Sequence, residues 1–163
     1  RIGRFLNVTA ETARLAKVGP IKNQSEGVAA ILRSPITAVQ VVTLLEEMPV
    51  QETSDAIAEL TALQISVGKV IINATQPPLL AGTKVNQAEL RRGLVAAGLP
   101  ADRGTVAGLY AEAQAHQIRG GIEESLRDDL AVLDRPLVAL PFLPDGVGRE
   151  GLDQLAAILG ATA

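Results

Sequence analysis

Two stretches of this sequence carry side chains suited to holding a flat ligand with a polar edge. One reads Val70-Ile71-Ile72-Asn73 and runs on to Pro77-Pro78; the other reads Pro141-Phe142-Leu143-Pro144-Asp145. An asparagine amide offers a donor and an acceptor side by side, which matches the adjacent acceptor and amino group on an adenine edge. A proline-stiffened loop presents apolar atoms and backbone carbonyls at low entropic cost, suited to lying against a purine face. The same residues also read as an asparagine capping a turn and prolines ending strands. Spacing alone leaves both readings open.

No other residues offer a reacting group. The single Gly-Lys pair, Gly68-Lys69, is followed by Val70 inside an apolar run, so it opens no glycine-rich phosphate cradle at a strand-to-helix turn. His116 is the only histidine and sits in a helical pattern with no serine or cysteine motif to support catalysis, so a structural or surface role is expected. The acidic pairs Glu46-Glu47, Glu123-Glu124 and Asp128-Asp129 read as helix-end or solvated charges, and no metal site is assigned. With no cysteine, disulfides, cysteine-ligated zinc and thiol chemistry are excluded.

The elements that must position the two loops follow from hydrophobic patterning. Apolar runs over 36–45, 67–73 and 135–140 are continuous rather than alternating, as in parallel strands covered by helices on both faces. Helical patterns lie between them. Pro49 suits the first turn of a helix in which Ile57, Leu60 and Leu63 share a face. Asn86 with Glu89 makes a capping-box-like start to a helix that stops at Gly98, before Pro100. A long helical stretch over 102–133 is expected to break at Gly120-Gly121, and a last helix opens near Arg149. Two shorter helices, over 9–18 and from a Ser25 cap, precede the first strand. The order predicts an α/β fold with a wound parallel sheet. Three strands are few for such a sheet, and the chain opens on Arg1 rather than Met, so an N-terminal half is expected to be missing. The expected organisation is a short helical segment over 1–35 followed by the α/β part over 36–163.

The 163-residue chain is long enough for one ordinary domain, and its near-absence of aromatics requires a core of Ala, Val, Leu and Ile. A net charge of −3 argues against nucleic acid as a partner. Arg1, Arg4, Arg14, Lys17, Lys22 and Arg33 nonetheless make the first 35 residues basic, which admits a solvated face or a peripheral membrane contact. No apolar run is long enough to span a bilayer and no secretory signal opens the chain; cytoplasmic residence is the expectation.

Three segments, "TLLEEMPVQETSDAIAEL", "VGKVIINATQPP" and "PLVALPFLPDGVGREGLDQLAAIL", together resemble the C-terminal half of the arsenite-pump and tail-anchored-protein-targeting ATPases. These are P-loop NTPases with a deviant Walker A motif. In that family a Glu-Thr pair opens a helix, a strand ends in Val-Val-Asn, and a Pro-Leu-Leu-Pro-Glu-Glu-Val-Arg-Gly loop follows a later strand. Glu52-Thr53, Ile71-Ile72-Asn73 and Pro141-Phe142-Leu143-Pro144-Asp145 occupy those places here. The opening Arg4-Phe5-Leu6 is similar to the Arg-Leu-Leu run that follows the family's switch motif.

The resemblance implies an ATP-binding and ATP-hydrolysing protein that uses ATP or ADP with Mg2+. Asn73 would read the adenine edge, Pro141, Phe142 and Leu143 would sandwich the base, and Glu52 would lie toward a dimer partner, like or unlike. The Walker A loop and the catalytic residues would precede Arg1, leaving no catalytic group in this chain. Gly146-Val147-Gly148-Arg149 departs from the family's Glu-Val-Arg-Gly, and Met48 is the only methionine, so a methionine-lined client groove is not expected. The alternatives are a scaffold protein that keeps the fold without catalysis, or a chaperone for hydrophobic membrane-protein segments.

Overall fold

The computed structural model describes Val8 and residues 19–161. The expected helix over 9–18 and the Arg4-Phe5-Leu6 run lie outside the described residues. The described elements are α1 (Pro20–Leu32), β1 (Val39–Thr43), α2 (Glu47–Ala62), β2 (Val67–Thr75), α3 (Gln87–Ala96), α4 (Arg103–Ala131), β3 (Leu137–Pro141) and α5 (Arg149–Ala161). They fall into two compact units. One holds the described residues up to Thr75 with those from Asp128 onward; the other is Gln76–Arg127.

In the first unit the three strands form one parallel sheet in the order β1-β2-β3, the wound α/β arrangement expected. The register places Val41, Val70 and Leu137 on one face with Thr43, Ile72 and Ala139, and Val42, Ile71 and Val138 on the other. Both faces carry buried residues, Val70 and Ile72 on the first and Val138 on the second. α2 packs on β1 and β2, and α5 on β3. The second face opens at β1, however, where Val42 is 62% exposed, so the continuous burial expected of these strands holds for β2 better than for β1.

Local chemistry explains where elements begin and stop. Residues 36–38 do not join β1 despite Ile36 and Thr37, because the segment after α1 is spent on a turn: the Ser34 and Thr37 hydroxyls both donate to the Ile31 carbonyl, at 2.7 and 2.8 Å. α1 starts not at a Ser25 cap but at Pro20, whose fixed φ suits a first turn, preceded by Gly19 at φ 112°. Pro49 falls in the first turn of α2 as expected; Ile57 and Leu60 are buried and Leu63 half-buried. Thr53 is buried too, its hydroxyl donating to the Pro49 carbonyl at 2.8 Å.

In the second unit Asn86 caps α3, its side chain accepting from the Glu89 amide at 2.9 Å. Gly98, at φ 69°, ends it in a Schellman motif: the Leu99 amide donates to Leu94 and the Gly98 amide to Val95. Asp102 opens α4 by accepting from the amides of Gly104 and Thr105 and from the Thr105 hydroxyl at 2.6 Å, bonds that hold its carboxyl below the usual range. α4 then runs unbroken to Ala131, straight through Gly120-Gly121. Glycine costs a helix about 1 kcal/mol per residue but removes no hydrogen-bond donor, and the good helix formers on either side carry the helix across.

Candidate functional site

Parallel strands deliver their C-terminal ends to one edge of the sheet, and ligands of wound α/β folds bind beyond that edge. The loops after β2 and β3 leave it side by side. Thr75 stands opposite Pro141. The Phe142 amide donates to the Thr75 carbonyl at 2.9 Å, and the Thr75 hydroxyl donates to the Leu140 carbonyl at 3.1 Å. Asn73 therefore does not end its strand, as the sequence implied; β2 continues through Thr75.

Asn73 sits instead in a β-bulge. Between the pairs Ile72–Ala139 and Thr75–Pro141, Asn73 and Ala74 together stand opposite Leu140, and Ala74 takes φ 54°. The Asn73 side chain is exposed and, among the described residues, makes no side-chain hydrogen bond. It caps no turn among the described residues, while Pro141 does end its strand, as the plainer reading had it.

The opposite loop is fixed along its length. Pro141 closes β3, and Leu143-Pro144-Asp145-Gly146 forms a turn in which the Gly146 amide donates to the Leu143 carbonyl at 3.1 Å and Gly146 takes φ 82°. Pro144 holds the second position of that turn, where its φ is preset. Phe142 is 52% exposed, while Pro141 and Leu143 are half-buried. Leu143 is wedged against α5: a Cβ on Gly151 would lie 2.8 Å from its Cδ1. The structure thus brings Asn73 and the loop from Pro141 to one edge through the Thr75–Phe142 junction.

Glu52 lies elsewhere in the unit, exposed on α2 beside the inward-facing Thr53. Gly68-Lys69 lies at the opposite, N-terminal end of β2, where the Gln40 side chain accepts from the Lys69 amide. That pair is part of a strand and not a phosphate-binding turn. Among the described residues no three His, Asp or Glu side chains converge to hold a metal, and no helix is long and apolar enough to cross a membrane.

The bulge itself was invisible to sequence reasoning. A left-handed alanine has no sequence signature, since glycine or asparagine is the usual occupant. Relieving it should be measurable: Ala74→Gly is expected to stabilise the protein by up to about 1 kcal/mol in denaturant unfolding, the strain released exceeding the added freedom of the unfolded chain. A clear destabilisation would show that the Ala74 methyl makes a contact worth more than the strain.

The sequence profile of the anion-transporting ATPase family matches residues 2–90, more than half of the chain. The ATPase BagA of Mycobacterium tuberculosis is 39% identical over 167 residues, an alignment spanning 98% of this chain and 49% of that protein. A Mycobacterium bovis relative, provisionally described as an ATPase, aligns with the same identity and coverage. With its wound parallel sheet and these matches, the chain belongs to the anion-transporting ATPase family. It spans about half the length of the curated relatives it matches.

Proposed function

We propose that this chain is the base-binding part of an ATP-hydrolysing protein, with the Asn73 amide on the adenine edge and Pro141, Phe142 and Leu143 against its face. The observation that carries this reading is the junction at Thr75 and Phe142, which sets an unbonded amide and an exposed aromatic side chain at the same edge of the sheet. Glu52, exposed on α2, faces a related subunit in a homodimer or heterodimer. The protein works in the cytoplasm, and its basic N-terminal stretch is available for peripheral membrane contact.

The residues present fit the base and not the phosphates. Adenine needs a paired donor and acceptor beside an apolar surface, roles that the exposed Asn73 and Phe142 suit. Triphosphate and Mg2+ need a glycine-rich cradle with a lysine and clustered oxygen ligands, which the described residues lack. Those duties belong to the rest of the full-length polypeptide, and no catalytic group is assigned here.

The test is an ATPase assay on two samples. The full-length polypeptide should hydrolyse ATP, whereas the isolated 163-residue segment should not exceed buffer. Turnover by the segment alone, lost on substituting one of its residues, would overturn the assignment. A full-length protein that binds ATP without turnover would convert it to a scaffold that uses nucleotide as a latch.

A further inference from the structure

The second unit, Gln76–Arg127, contains a pocket of about 760 Å³ that the nucleotide reading does not use. It lies between α3, α4 and the segment joining β2 to α3. Its volume falls within the range of about 300–1,000 Å³ typical of small-molecule sites. Leu80, Leu90, Leu94 and Leu109 supply apolar walls from all three segments.

The pocket is shaped before any ligand arrives. Gln117, on α4, donates through Nε2 to the Thr83 carbonyl at 2.6 Å and to the Leu80 carbonyl at 3.3 Å. One side chain therefore clips two points of the joining segment onto the helix, 34 and 37 residues away in sequence. The Asn86 cap fixes the start of α3, and the Schellman turn at Gly98 fixes its end. Preformed walls spare a ligand the entropy of ordering them.

Charge selects the ligand class. Lys84 and Arg119 line the pocket, and neither forms an ion pair among the described residues. Of the two acids lining it, Glu89 lies 3.8 Å from the exposed Arg92, and Glu112 forms no ion pair among the described residues. His116, half-buried in the wall, adds a polar group. With Arg92 beside Glu89, three cations stand against two acids at the pocket, a balance that favours an anion over a cation.

We propose that this pocket binds a small amphipathic carboxylate, its apolar body against the leucine walls and its carboxylate drawn to Lys84 and Arg119. The site stands independently of adenine binding, since its lining comes from other residues. An apolar anion has both features the pocket offers, whereas acetate or phosphate would meet only the cations and a neutral alcohol only the leucines.

The experiment is calorimetric titration of the full-length protein with decanoate, decanol, acetate and inorganic phosphate, with nucleotide binding followed in parallel as a check on folding. Decanoate should bind, decanol at least tenfold more weakly, and acetate and phosphate not measurably. The double variant Lys84→Gln/Arg119→Gln should weaken decanoate by tenfold or more and leave decanol unchanged. Glu112→Gln should strengthen decanoate by a few-fold, an outcome that mere loss of structure could not produce. Absent decanoate binding, equal affinity for decanoate and decanol, or indifference to the double variant in a protein that still binds nucleotide would each overturn the proposal. Association confined to vesicles of anionic phospholipid, with none to free decanoate, would also overturn it in favour of a membrane-contact surface.

Discussion

Replacing Asn73 with alanine is expected to weaken ATP and ADP binding by the full-length protein roughly tenfold or more, and to narrow its preference for adenine over guanine. The Asn73 amide is exposed at the bulge and, among the described residues, has no hydrogen bond to give up on binding. On the proposed reading it pairs with the base's donor and acceptor when nucleotide binds; removing it would strand that polar edge, at a cost on the order of 1–3 kcal/mol. Each 1.4 kcal/mol is about tenfold in affinity. Guanine presents a different arrangement of donor and acceptor, so its weaker binding should change less. Calorimetry with both nucleotides decides the matter: unchanged affinity and unchanged selectivity in Asn73→Ala would remove Asn73 from the site. A parallel melt separates loss of binding from loss of fold, since an exposed side chain should cost little stability.

A second large effect is expected in the core. Leu130 is 0% exposed and lies one residue before the last of α4, in the unit that holds the sheet. Leu130→Ala should destabilise the protein by about 2–5 kcal/mol, the lost transfer energy plus the cavity left behind. Val132, 82% exposed, is the matched control, and Val132→Ala should fall within about 0.5 kcal/mol of the parent. Denaturant unfolding gives both numbers. A loss below about 1 kcal/mol would mean that the end of the helix contributes little to the core.

The parallel strands were legible because buried parallel strands leave a blunt signal, runs of β-branched residues such as Val70-Ile71-Ile72 without alternation. Their ends were less so. At the start of β1 a Ser-Pro turn outcompeted the strand propensity of Ile36 and Thr37. At the end of β2 the pairing of Thr75 with Pro141 carried the ladder past the residue where the apolar pattern stops. Short-range rules worked where the chemistry was itself short-range, as at the Asn86 cap, and failed at Gly120-Gly121, where one local cost was outvoted by a long helix.

The candidate site divides the same way. Residue types alone picked out Asn73 and the Pro141 loop but could not choose between ligand contact and strand ending. Tertiary information bears on the choice: the Phe142 amide meets the Thr75 carbonyl, and the Asn73 side chain makes no hydrogen bond among the described residues. The pocket in the second unit left no trace in the sequence, because its leucines come from three segments that look like ordinary amphipathic fillers until Gln117 gathers them.

The openness of β1 has a practical side. Among the described strands it is paired on one flank only, and Val42, on the face that opens there, is largely bare. A strand rich in valine, left unpaired along one flank among the described residues, is a template for any other chain with the same pattern, including another copy of itself. Natural proteins shield such flanks with charge, proline or a covering element, and Val39-Gln40-Val41-Val42-Thr43 carries neither charge nor proline. Where that flank is left uncovered, recombinant expression invites precipitation by strand-to-strand addition before any question of catalysis arises.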